Sequence, residues 1–323
     1  MPPSDLPNTP TNPHAACPEQ QRGEQREGSA FLSSSRHSPL ATRHFLSLLP
    51  HEYLFQTFLV ITWLRLVHGS GFTDTFSLLY LSFLLTAAFL IYLSTCVSAD
   101  WTWRLRLLYY PVVMNLSYKF MAQIVAIIHH GPLLDSSLRR IDRALIGENL
   151  SLRLEPHVRP LFTEPLSFCY MLFIPYLTFI MLEYLLDSLP LLKRFYLGLF
   201  TIYGIGFLGY TFVPAAGPYL AMSHEFRVPV TGYVFTHWNA SMVRYGSNGV
   251  DVFPSLHCAI SSYMLFFDRW YRKWRFRLYA VPCIGLWFST IYLRYHYFID
   301  VLVGFALSAS VLYLTRRWEP SDA

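Results

Sequence analysis

The chain has 323 residues, of which 53% are hydrophobic, 17% aromatic and only 14% charged, with a mean hydropathy of +0.32. Soluble domains carry roughly 25% charged residues, so an ordinary water-soluble fold is excluded and a polytopic membrane protein is expected. The net charge of +5 invites a nucleic-acid reading, but no such motif is present, and basic residues gathered in cytoplasmic loops account for it. The cysteines are Cys17, Cys96, Cys169, Cys258 and Cys283. Their number is odd and no pair has metal-ligand spacing, so free buried thiols are expected.

Residues 1–45 are rich in Pro, Ser, Asn and Arg, lack periodic apolar pattern, and read as a disordered tail. Apolar runs follow at about 52–68, 76–97, 106–129, 166–186, 192–212, 255–270, 277–293 and 298–315. They predict an all-α polytopic membrane bundle of about eight transmembrane helices. Residues 46–100 form two N-terminal helices and 101–317 the main membrane domain. With a cytoplasmic N-terminus, 15 of the 25 Lys and Arg fall on inside segments, among them Arg269, Arg272, Lys273, Arg275 and Arg277. That bias places both termini in the cytoplasm and the loops before His257 and His296 together outside.

Leu134, Leu138, Ile141 and Leu145 repeat at helical spacing among charged residues, which fits an interfacial amphipathic helix. A lid over a lipid site and a plain connector are both open for it. Lys119 stands inside the third run. Such a charge faces a cavity or a partner, or snorkels. His129 and His130 end the same run, where an interfacial role is preferred to metal or haem binding.

Two polar islands interrupt the last three runs. One is Pro254-Ser255-Leu256-His257, the other Arg294-Tyr295-His296-Tyr297-Phe298-Ile299-Asp300. Helices rise about 1.5 Å per residue and the hydrocarbon core is about 30 Å thick. A crossing, a turn on the basic cluster and a return crossing therefore bring the two histidines to one membrane face. Asp300 lies four residues after His296, on the same helix face, where a carboxylate can fix the imidazole tautomer. Ser255 reads as an N-cap, and the helix start it opens suits an anion. Arg294 and Arg244 are outside cations able to clamp phosphate oxygens. The turn Tyr210–Pro218 closes the fifth run. Capped helix ends with interfacial aromatics and anchoring arginines are the bland alternative at each island.

These islands resemble the type 2 phosphatidic acid phosphatase superfamily, over roughly residues 105–315. Pro254, Ser255 and His257 match its second motif, and His296 and Asp300 its third. Its first motif, with Lys and Arg-Pro, is absent, and the Tyr210–Pro218 turn stands in that place. Thr290 occupies the position of the usual third-motif arginine, with Arg294 two residues before His296. Both departures look like the inositol phosphorylceramide synthase and sphingomyelin synthase branch. The Asp142–Gly147 and Glu164–Tyr170 segments also look like the inositol phosphotransferase type.

The resemblance implies a six-helix phosphatase-like core beside the two N-terminal helices. It implies His296 as nucleophile, Asp300 orienting it, and His257 as acid and then base. Ser255, Arg294 and helix N–H groups would hold the phosphate, with no metal or cofactor, and Arg244 stays a candidate only as an outside cation. Membrane lipids are the implied partners, a lipid phosphate donor and a lipid alcohol acceptor, with phosphoinositol among the candidate headgroups. A lipid phosphate phosphatase, a transporter and a non-catalytic membrane protein are the alternatives.

Overall fold

A computed structural model describes residues 48–97 and 99–318, all within one compact unit. The expected tail lies outside the described residues. The helices are α1 (Pro50–Ser70), α2 (Thr75–Cys96), α3 (Asp100–Lys119), α4 (Met121–Ile128), α5 (Asp135–Ile146), α6 (Leu150–Leu154), α7 (Pro160–Met171) and α8 (Phe173–Leu186). They continue with α9 (Leu189–Phe212), α10 (Pro218–Ala221), α11 (Val234–Gly246), α12 (Leu256–Tyr271), α13 (Lys273–Tyr292) and α14 (Phe298–Arg317).

Each of the eight apolar runs lies on helix. Among the described residues four stretches are long and apolar enough to cross a membrane: α2, α7 with α8, α9 and α14. A fifth counts if α3 and α4, bent by 64° at Phe120, form one span. The expected eight spans therefore reduce to four or five by length and hydropathy. Helix α12 has only 16 residues, and α13 carries a basic first turn that lowers its hydropathy.

α9 is the buried axis of the bundle. α1 lies along it with the same direction: Gly204 faces the Leu54–Phe55 backbone, and further on Arg65 donates to the Thr211 carbonyl (3.1 Å) at the end of α9. Carbonyls in a last helical turn lack intrahelical partners, so the guanidinium satisfies one of them. On the other flank, Tyr263 of α12 donates to the Phe195 carbonyl of α9 (2.9 Å). A Cβ on Gly206 would lie 2.4 Å from the Leu256 side chain, so the glycine leaves room for Leu256 against α9.

A cluster of paired arginines lies at one end. Arg194 donates to Tyr271 Oη (2.8 Å) and to the Trp318 carbonyl (2.8 Å), joining α9, α12 and the end of α14. Asp268, fully buried, pairs with Arg275 and accepts from Tyr176 (3.0 Å) and Tyr184 (2.9 Å). Arg272 reaches Glu183 (2.9 Å). Removing one member of such a pair leaves an uncompensated buried charge, which costs more than the pair itself stabilises.

The opposite end is tied by carboxylates of α5. Asp142 accepts from the Phe298 and Ile299 amides (both 2.9 Å), the free N–H groups that open α14. Asp135 accepts from the Ala216 amide (3.0 Å), the Gly217 amide (2.9 Å) and Tyr297 Oη (3.0 Å). Leu138, between them, is buried. Of the two readings of this segment, the contacts favour a connector that clamps the helix starts over a lid.

α12 and α14 meet at their N-termini, where the Ser255 amide donates to the Asp300 carbonyl (3.0 Å). Gly304, one turn further, faces the Ser255 carbonyl, and a Cβ there would lie 2.6 Å from that oxygen. Backbone cannot yield as a flexible side chain does. Gly304→Ala is therefore expected to destabilise the protein by about 1–3 kcal/mol, as overpacking does. Thermal denaturation in detergent checks this; an unchanged midpoint would show that the contact is slack.

Candidate active site

The first turn of α12 carries His257, and the loop between α13 and α14 carries His296. The shared register of the two helix starts brings His296 Nε2 to 3.5 Å from His257 Nδ1. On the far side, His296 Nδ1 lies 3.6 Å from Asp300 Oδ2. Asp300 is fully buried, and Oδ2 also accepts from the Tyr297 amide (2.8 Å). The carboxylate thus faces one nitrogen of His296 and leaves the other turned toward His257. Burial pushes the His296 imidazole down to about 4, with Asp251 opposing the shift. The ring is therefore neutral, with a lone pair to offer, at neutral pH.

Both histidines line a cavity of about 290 Å³. Tyr170 stacks on His257 with centroids 4.8 Å apart, and Phe173 packs at 4.7 Å. These contacts fix the ring plane from α7 and α8. Asp251 lies in the same cavity, where its carboxylate accepts from Tyr118 Oη (2.6 Å) and Ser247 Oγ (3.1 Å). An isolated bridge pairs Asp251 with Ala215, so the turn after α9 positions the carboxylate. Among the described residues lining this cavity there is no lysine or arginine.

The remaining expected site residues are dispersed. Ser255 is fully buried and caps α12, accepting from the Cys258 amide (3.4 Å). It does not line the cavity. Arg294 is two residues from His296 yet turns away. Its φ of 71° is left-handed, a conformation that costs a non-glycine residue roughly 1–2 kcal/mol. The guanidinium lies over the Phe226 ring (3.8 Å) and donates to the Val228 carbonyl (2.6 Å). It lines a second cavity of about 220 Å³. Arg244 is exposed on α11 and lines neither cavity. Lys119 is exposed beside Phe120, outside both cavities.

Asp251, Tyr118 and Tyr170 receive no role from the sequence. Asp251 opens the stretch that carries the first island, and Tyr118 precedes the conspicuous Lys119. The only signal available was a carboxylate close to Pro254. Tyr118 reaches the site from the last turn of α3, which ends at Lys119, and Met114 and Asn115 line the cavity from the same helix. Asn248 donates to the Tyr118 carbonyl in that last turn (2.9 Å).

Among the described residues no group of His, Cys, Asp and Glu is arranged to hold a metal ion. Buried imidazoles, one backed by a carboxylate, can supply a nucleophile and a proton carrier. No curated protein and no solved structure matches the chain. A family model described as the PAP2 superfamily matches residues 136–314, more than half of the chain, and spans both histidines. Members are phosphatases or phosphotransferases acting on phosphate esters, and the apolar helices agree with a protein integral to a membrane. By this match the chain is an enzyme of the PAP2 superfamily.

Proposed function

We propose that the protein is a lipid phosphotransferase, which moves a phospho-headgroup from a phosphodiester lipid to a lipid alcohol. The observation that carries this reading is the charge of the cavity. Two imidazoles and Asp251 line it, with no lysine or arginine among the described lining residues. A phosphate monoester is a dianion near neutral pH, and a buried dianion beside a carboxylate needs fixed cations. A diester carries a single negative charge, which one imidazolium can balance. Apart from Asn115 and Ser247, the rest of the cavity wall is tyrosine and apolar side chains, suited to a lipid.

In this mechanism His296 Nε2 attacks phosphorus and the P–O bond to the departing lipid breaks. The negative charge of the bound phosphodiester favours the imidazolium form of His257, which gives its proton to the leaving alkoxide oxygen. The acceptor hydroxyl then attacks the phosphohistidine, its proton passes to His257, and the N–P bond breaks. His257 is again an imidazolium and the cycle closes. Asp300 holds His296 in the productive tautomer and stabilises its charged form in the intermediate. Asp251, with Tyr118 and Ser247, is placed to accept a hydrogen bond from the acceptor hydroxyl.

The basic end supports an orientation with that end in the cytoplasm and the histidines on the extracytoplasmic side. Both termini are then cytoplasmic. A cysteine placed at Tyr245, which is 86% exposed near the histidine end, is expected to react with an impermeant maleimide on intact cells. Labelling only after lysis would reverse the orientation.

Purified protein given phosphatidylinositol and ceramide is expected to make the headgroup-transfer product. Phosphatidate alone should yield little free phosphate. Release of phosphate from phosphatidate without headgroup transfer would decide for a phosphatase.

A phosphorus-labelled aryl diester, whose leaving group needs no proton, separates the histidines. His257→Ala is expected to retain covalent label while its turnover falls by about 10²–10⁴-fold, the usual contribution of general acid–base catalysis. His296→Ala is expected to take no label, and labelling of that variant would remove His296 as nucleophile.

A further inference from the structure

The left-handed turn at Arg294 sends three consecutive side chains to different places. His296 lines the catalytic cavity, Arg294 lines the second cavity, and Tyr295 lines both. Tyr219 also lines both, with its ring 5.5 Å from that of Tyr295 and nearly perpendicular to it. The second cavity is therefore separated from the reacting phosphorus by little more than two aromatic rings.

Its polar lining is incomplete. Asn239 is 2% exposed and donates from Nδ2 to Tyr295 Oη (3.0 Å), but its Oδ1 has no partner among the described residues. Arg294 is 6% exposed, and its Nε likewise has none. A buried orphan acceptor and a buried orphan donor lining one cavity are uncommon, because such groups are ordinarily satisfied. The hydroxyls of Ser223 and Thr236 are part of the same lining.

The charge around the cavity is already balanced. Glu155 Oε1 stands 3.7 Å from the Arg294 guanidinium. The Glu164 carboxylate accepts from Thr236 Oγ1 (2.8 Å) and from the Phe235 amide (2.6 Å). An added anion would have no uncompensated cation to meet. A quaternary ammonium offers Arg294 no acceptor and Asn239 no donor. A hydroxyl group supplies both.

We infer that the second cavity is a subsite for a neutral polyol carried on the transferred phosphate. One hydroxyl accepts from Arg294 Nε and another donates to Asn239 Oδ1. This assignment rests on the headgroup-transfer reading. Glycerol and inositol headgroups share the required chemistry, and the experiment separates them.

The first measurement is saturation-transfer NMR on the full chain in detergent, with myo-inositol, glycerol and choline as free probes. Transfer to at least one polyol and none to choline is expected, with loss in Asn239→Leu and in Arg294→Lys. The second is the kcat/KM of headgroup transfer from phosphatidylinositol, phosphatidylglycerol and phosphatidylcholine. The preferred polyol donor should lead choline by at least about tenfold, the worth of one or two hydrogen bonds. Either substitution should bring that ratio toward one. Polyol binding without transfer from any donor would keep the subsite and reject headgroup transfer. No saturation transfer to either polyol, or a donor ratio that neither substitution moves, would overturn the subsite.

Discussion

A single peptide hydrogen bond sets the register on which the site depends. The Ser255 amide reaches the Asp300 carbonyl, so the first turns of α12 and α14 are locked side by side. His257 follows Ser255 by two residues, and His296 precedes Asp300 by four. Gly304 lets the helices come close enough for that bond, and Asp142 holds the other side of the α14 start. A one-residue slip would rotate either helix by about 100° and carry one imidazole away from the other.

Burial does the rest of the chemistry. A neutral imidazole whose other nitrogen faces a carboxylate is a competent nucleophile only if water is held off and the ring cannot turn. Tyr170, Phe173 and Tyr295 supply both conditions around the pair. Among the described residues no lysine or arginine lines the catalytic cavity. In the proposed transfer, that absence favours substrates bearing one negative charge.

The histidines and Asp300 could be read from the sequence because their spacing is local to helix starts, and crossing lengths bring those starts to one face. The phosphate ligands were less legible. Arg294 has the right position along the chain, but a left-handed φ at one residue reverses its direction, and no periodicity signals that. Ser255 caps α12 with its side-chain oxygen, and its buried side chain does not line the cavity. Asp251 and Tyr118 are 133 positions apart and meet only through the packing of α3 against the loop before α12, which depends on tertiary structure. The eight-span expectation followed apolar runs and the bias of Lys and Arg, and of those runs α12 spans only 16 residues.

Tyr118, Asn115 and Met114 come from α3, ahead of the region at residues 136–314 that identifies the family, yet they line the cavity that holds both histidines. The two histidines and part of the cavity wall thus have separate origins along the chain. In the proposed transfer, changes in α3 would retune which lipid is admitted while both histidines stay untouched.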